Sequence, residues 1–338
     1  MRKIWPAVAL AMVHIAGDNL GVVPALAVIM GSNIYWVVIF AYILLGSGVT
    51  AIAAWIGCFS GLELGSVVNR LFGLWGKRVL AVAILGIAIP ASAVTGGYFS
   101  GQLFSILTGI SFPWASLICL VLFSLLAAGW WRELLLVINY ISFLLLPMVV
   151  AMLMVTGEYN PPSAVSDNAF NVVLLVLALL SYNSGGMRPA VVAEASVYLA
   201  ANGYRPIIFA VVAKLVEGFF TLLVAYLVFT APYAGPLELV TIAELHFNFG
   251  WTFLAKLVLF CVLTMTMIPA MMVNARQVSV LTGLEFKFSL LLTGVVVYFL
   301  SLIIPYQKIV MAMSGTGLLM MFYLVYIAYV LHKSGLKK

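Results

Sequence analysis

Apolar residues run through this chain in blocks about as long as a bilayer is thick, and the polar residues fall into short gaps between them. A helix needs roughly 20 apolar residues to cross a hydrocarbon core about 30 Å thick. By that measure the pattern predicts ten spanning helices, near residues 4–30, 35–59, 78–107, 112–130, 134–156, 170–200, 207–232, 251–281, 287–305 and 308–332. Two gaps are long enough to form short helices of their own. "SGLELGSVVNRLFGLWGK" at 60–77 suits the membrane surface, and "GPLELVTIAELHFNF" at 235–249 suits a cap over the opposite face. The third span, about 30 residues long, would measure roughly 45 Å as a straight helix, so it must tilt strongly or project from the bilayer.

The pattern is interrupted most sharply in two spans. The first carries "HIAGDNLGVVP" at 14–24, and the sixth carries "SYNSGGMRP" at 181–189. A charged side chain at the middle of a spanning helix costs about 2.5–3.5 kcal/mol on insertion scales, so Asp18 belongs in protein or in a wet cavity. Gly17 and Gly21 let the backbone leave helical geometry, which frees amides and carbonyls for a ligand, water or neighbouring protein to satisfy. The alternative is that the glycines serve close helix packing and Asp18 makes a structural hydrogen bond. In the sixth span, Ser181, Tyr182, Asn183 and Ser184 offer hydroxyl and amide groups, and Gly185 and Gly186 break the helix. Pro189 suits the first turn of a restarted one, whose N-terminus favours an anionic group. Arg188 either clamps a substrate carboxylate with its planar fork or pairs with Asp18 or Glu194.

These interruptions lie almost half the chain apart. Five spans per half is an odd number, so the second half enters the membrane from the opposite side. Paired interruptions in two inverted halves, here about 1–157 and 166–332, point to the central site of a transporter. Three further groups titrate within the membrane: His14 lies one helical turn from Asp18, and Glu217 shares a face with Lys214 three residues earlier. His14, Asp18 and Glu217 are therefore the candidate proton carriers, with a mutual Lys214–Glu217 pair as the alternative for Glu217.

Composition narrows the class further. Of 338 residues 65% are hydrophobic and 8% charged, and the mean hydropathy is +1.21, which leaves one transmembrane domain over 1–338 and no soluble one. The start, "MRKIWPAVALAMV", reads as a retained span, because no small-residue cleavage pattern follows it. Cys58, Cys119 and Cys261 fall inside apolar runs without ligand-like spacing and read as packing residues. No nucleophile–base pair, metal triad or cofactor motif points to an enzyme, and the expected partners are the lipid bilayer and a small-molecule substrate, with no nucleic acid. The net charge of +6 is most useful as a map. With both termini in the cytoplasm, Arg2, Lys3, Arg70, Lys77, Arg78, Arg132, Arg205, Arg276, Lys287, Lys333, Lys337 and Lys338 lie inside, and only Lys308 lies at an outer end.

"AGDNLG" at 16–21, with the broken sixth span, resembles the unwound first helix of LeuT-type transporters of the amino acid, polyamine and organocation superfamily. In its small size the chain is similar to YkvI-type bacterial membrane proteins and to germinant-receptor membrane subunits. The resemblance implies an all-α LeuT fold of ten helices in a 5+5 inverted repeat, with helices 1 and 6 broken. It also implies a substrate held by Gly17, Asp18, Asn19, Tyr98, Tyr182, Asn183, Gly185 and Arg188, with Tyr98 as an aromatic lid. In sodium-coupled members the carbonyls matching Gly17 and Leu20 hold an ion together with hydroxyls of the eighth span. Here Thr264 and Thr266 are separated by Met265, about 200° apart on a straight helix, so the residues favour H+ over Na+ as the coupling ion.

The expected activity is secondary transport of a small polar solute, an amino acid or related zwitterion, by alternating access. Divalent metal uptake is a second reading, from a carboxylate and amide on the first span and Met187 on the sixth, but Arg188 counts against it. A nutrient-sensing receptor subunit that transports nothing is a third. The orientation makes a direct prediction: a cysteine at Ser163 is labelled by an impermeant reagent from outside the cell and one at Ser66 is not. The reverse pattern overturns the topology.

Overall fold

The computed structural model of the chain describes residues 19–20, 23–130, 132–157, 173, 176–177, 179–181, 188–230, 237–313 and 316–335. His14, Gly17, Asp18, Tyr182, Asn183 and Gly185 lie outside these residues. Among the described residues every regular element is helical. Seven helical stretches are long and apolar enough to cross a membrane, and Phe112–Ala127 is a shorter apolar helix.

The first span contributes α1 (Val23–Met30), and a break at Gly31 separates it from the second span, which runs through α2 (Ile34–Val38), a π-helical stretch Ile39–Gly46 and α3 (Ser47–Ser60). The surface helix expected at 60–77 and the third span form one element, α4 (Leu64–Ser92), bent at Gly73 where φ is 67°, a value that favours glycine. The bend falls before the expected span 78–107 and sets the surface stretch off from it, while the span keeps its full length. The third span continues through a second π-helical stretch, Ala93–Phe99, into α5 (Ser100–Thr108), and α6 (Phe112–Ala127) is the fourth.

The fifth span is two helices, α7 (Arg132–Ser142) and α8 (Leu145–Val155). Pro147, in the first turn of α8, lacks the amide that would carry one helix through. The sixth span resumes with α9 (Arg188–Ala201), the seventh is α10 (Pro206–Val228), and the expected cap is α11 (Glu238–His246). The eighth span, α12 (Phe249–Thr282), opens on Asn248, whose side chain accepts from the Trp251 amide at 3.2 Å, an N-cap. Lys256 pairs with Glu244 at 2.7 Å, and the Thr252 hydroxyl donates to the Ala243 carbonyl at 2.9 Å, so α11 is fastened to the top of α12. The ninth span is α13 (Phe286–Ile303), and the tenth is again two helices, α14 (Tyr306–Ala312) and α15 (Thr316–Ser334).

Packing divides these helices into two groups. The bundle sets α3 against α9 and α10, and α10 against α1, so spans 1, 2, 6 and 7 share one core. The scaffold sets α12 against α4, α6 and α13, and α5 against α6, joining spans 3, 4, 8 and 9. Exposed Trp36, Trp114 and Trp251 mark the starts of the second, fourth and eighth spans, while Trp75 and Trp130 mark the opposite end. Tryptophan at both ends is the pattern of anchors at two membrane–water interfaces.

The bundle's tightest seam is between α3 and α9, where Gly57 lies so close to Ala193 that a Cβ would overlap its carbonyl. Gly48, on the same helix, faces open space. Gly57→Ala is expected to lower stability by about 1–3 kcal/mol, the usual cost of overpacking, and Gly48→Ala is expected to lower it little. Thermal unfolding of the two purified variants in one detergent compares them directly.

Candidate functional site

The deepest polar feature of the bundle is built on one carboxylate. Glu217 on α10 is fully buried; its Oε2 lies 2.7 Å from Nζ of Lys214, and its Oε1 lies 3.0 Å from Nη1 of Arg188 on α9. The spacing of Lys214 and Glu217 places them on one face of α10, as the sequence suggests. Arg188 reaches them from the sixth span because it sits in the first turn of α9. The Lys214 ammonium also lies 4.9 Å from the centre of the Tyr42 ring in the second span, a cation–π contact.

A second chain of contacts closes the circle. The Thr221 hydroxyl, one turn after Glu217, donates to the Glu217 carbonyl at 2.7 Å and receives the Asn19 amide at 2.6 Å. The Tyr42 hydroxyl donates to Asn19 Oδ1 at 3.4 Å. Asn19, Tyr42, Lys214, Glu217 and Thr221 are all at most 1% exposed. Taking an ion out of water costs several kcal/mol, so such a group persists only where its partners are fixed. Here they are fixed by spans 1, 2, 6 and 7 at once.

The expected site residues divide accordingly. Asn19, Arg188 and Glu217 come together in this network, Asn19 facing the second and seventh spans through its side chain. Among the described residues Arg188 pairs with Glu217, which the sequence did not suggest, and Glu194 meets Arg276 instead; Asp18, the other expected partner, lies outside the described residues. Leu20 is buried. Thr264 and Thr266 lie in the unbroken α12, each donating to the carbonyl four residues back, Phe260 at 2.7 Å and Val262 at 3.3 Å. Tyr98 lies apart from the charged network, in the π-helical stretch of the third span. Its ring centre is 5.0 Å from that of Tyr306 on α14 and 5.7 Å from those of Phe99 and Phe112.

Between bundle and scaffold lies a cavity of about 280 Å³, lined in part by Glu63, Lys77, Ala190, Glu194, Arg276 and Gln277. Across it Arg276 on α12 donates to Glu194 on α9 at 2.7 Å, both side chains about half exposed. Deeper in the scaffold the Asn274 amide donates to Ser92 Oγ at 3.0 Å and to the Ala88 carbonyl at 3.3 Å, tying the eighth span to the third.

No family model matches the chain, and no curated protein matches it in a sequence search. Solved structures do match. One is Mhp1, a nucleobase-cation-symport-1 family transporter, in a closed conformation with bromovinylhydantoin bound. It superposes with a TM-score of 0.60 over 97% of this chain and 75% of the other, at 14% identity. The fold is the LeuT fold. In this chain its helices pack as a bundle of spans 1, 2, 6 and 7 and a scaffold of spans 3, 4, 8 and 9.

Tyr42 and Thr221 carry no sequence signal of their own, being an aromatic and a hydroxyl residue in apolar runs, although Thr221 follows Glu217 at helical spacing. Removing the central carboxylate leaves two buried cations facing the same point, so Glu217→Leu is expected to cost about 3–5 kcal/mol. Thr221→Val, which removes hydrogen bonds only, is expected to cost about 1–3 kcal/mol. Both are read from thermal unfolding in detergent, and equal stability of Glu217→Leu and the parent protein would remove the carboxylate from its central place.

Proposed function

We propose that this chain is a secondary transporter that moves a small polar solute, an amino acid or related zwitterion, by alternating access. The observation that carries this reading is the contrast between two kinds of tie. Within the bundle the charges are buried and interlocked, so the bundle moves as one body. Across the seam between bundle and scaffold the charged contact is Glu194–Arg276, half exposed beside a cavity, and a contact of that kind is worth only about 0–1 kcal/mol. It is cheap to break and remake in every cycle, and in the orientation expected from the charge pattern it closes the cytoplasmic side.

The substrate then lies between the interrupted first and sixth spans, with Gly17, Asp18, Tyr182, Asn183 and Gly185 supplying backbone and polar groups and Tyr98 standing toward the outer side. The two halves, about 1–157 and 166–332, act as inverted repeats, and the termini lie in the cytoplasm. Protons, carried by Asp18 with His14 and Glu217, drive uptake in preference to sodium at Gly17, Leu20, Thr264 and Thr266, because the two threonines stay on different faces of an unbroken helix. The resemblance of "AGDNLG" to the first helix of amino acid, polyamine and organocation transporters supports the amino acid reading. The hydantoin bound to Mhp1 supports a second one, a planar amide heterocycle, for which the paired rings of Tyr98 and Tyr306 supply an apolar stacking surface. Arg188 and Lys214 weigh against a divalent cation.

The test is uptake into proteoliposomes of labelled amino acids and of a labelled hydantoin, with an inward proton or sodium gradient at fixed membrane potential. The proton gradient is expected to drive concentration and the sodium gradient not to. Asp18→Asn is expected to abolish driven uptake while leaving exchange or binding. In a background with Cys58, Cys119 and Cys261 replaced, a disulfide between Glu194→Cys and Arg276→Cys is expected to stop transport and its reduction to restore it. Binding without uptake of any solute would favour the sensor reading.

A further inference from the structure

A second cavity of about 280 Å³ lies between the fifth and eighth spans. Leu144, Met148 and Ala151 line one wall, and Trp251, Ala255 and Val258 line the other, with Phe247 at the end below the cap helix. Apart from the indole nitrogen of Trp251, every lining side chain is apolar. The rims are apolar as well: Leu146, Val150 and Phe253 are each more than two-fifths exposed. The cavity therefore opens through the surface that faces hydrocarbon, and Trp251, 61% exposed at the start of the eighth span, marks the depth of the membrane–water interface.

We propose that this crevice is a binding site for one acyl chain of a bilayer lipid. Three observations select that occupant. The opening faces the hydrocarbon, where acyl chains are the abundant apolar solute. The walls offer almost no hydrogen-bonding group, which excludes a polar ligand, since burying its polar atoms unpaired is costly. An indole at the mouth suits the boundary between chain and headgroup. The crevice also sits at the break in the fifth span, with Leu144 in the break itself and Pro147 just beyond it. A chain lodged there braces the two halves of that span against α12.

Purified full-length protein is reconstituted in phosphatidylcholine vesicles containing a phosphatidylcholine with a photoactivatable group in its acyl chain, irradiated, and the labelled peptides are identified. Labelling is expected to concentrate on 144–152 and 251–258, several-fold above that on the equally exposed face of the ninth span around Leu291 and Phe299. Ala151→Trp, which fills the crevice from its rim, is expected to remove the excess, whereas Leu291→Trp leaves it. Delipidated protein is expected to gain thermal stability from phosphatidylcholine and none from glycerophosphocholine, which has the headgroup without chains. Labelling spread evenly over the lipid-facing helices overturns the proposal, and so does protection of this face by dimerisation. The wild-type map stands as a test even if Ala151→Trp fails to fold.

Discussion

The carboxylate of Glu217 is the point on which the bundle turns. A lone charge at that depth would unfold the helix around it or draw water in, and this one is held by cations from two different spans and backed by the ring of Tyr42. Its neighbour Thr221 extends the same network to Asn19 of the first span. Four helices are thereby made dependent on one another by a group that apolar packing alone would exclude. Buried ionic groups are a costly way to gain stability, and their strength is geometric: they have one satisfied arrangement, whereas apolar contacts have many nearly equal ones.

The scaffold is held by a different chemistry. Its crossing of spans 3 and 8 rests on hydrocarbon contact and on a single amide, Asn274, reaching Ser92 and the Ala88 carbonyl. Neutral hydrogen bonds need no counter-charge and leave the scaffold electrically quiet where it faces lipid. The two bodies thus meet as a charged core and a neutral frame. Their contact at Glu194 and Arg276 lies at the watery end of the seam, where separating two charges costs least.

Much of this architecture is legible in the sequence because lipid allows few backbone solutions. Every amide and carbonyl must be paired within the segment, so long apolar runs are helices and their ends can be placed to within a few residues. For the surface helix before Gly73 and the cap Glu238–His246 the sequence leaves a helix and a plain connector both open, because a short polar stretch outside the lipid is under no such constraint. The Lys214–Glu217 pair followed from helical spacing. The third member, Arg188, did not: it is far away in sequence, and no periodicity connects α9 to α10. Glu194, by spacing a natural partner for Arg188, turns instead to Arg276 because it lies on the seam face of α9. The break in the fifth span is hard to read for a different reason. Hydropathy averages over a window longer than the break, and the interruption at Phe143 and Leu144 is itself apolar, so Pro147 is the one sign of it.

The π-helical stretch Ala93–Phe99 has a consequence that reaches beyond its seven residues. A π turn takes in one more residue than an α turn, so the part of the third span beyond it is rotated by about 100° relative to the face it would present in a continuous α-helix. The part before it meets Asn274 on α12, while the end of the stretch carries Tyr98 to Tyr306 and Phe99 into the core. One helix therefore keeps two phases, and the surplus residue is the phase shift between them. Drift in the sequence of either half can be absorbed side chain by side chain, and so can the loss of one residue from the stretch itself, which would let a plain α-helix run through with both halves still facing their neighbours.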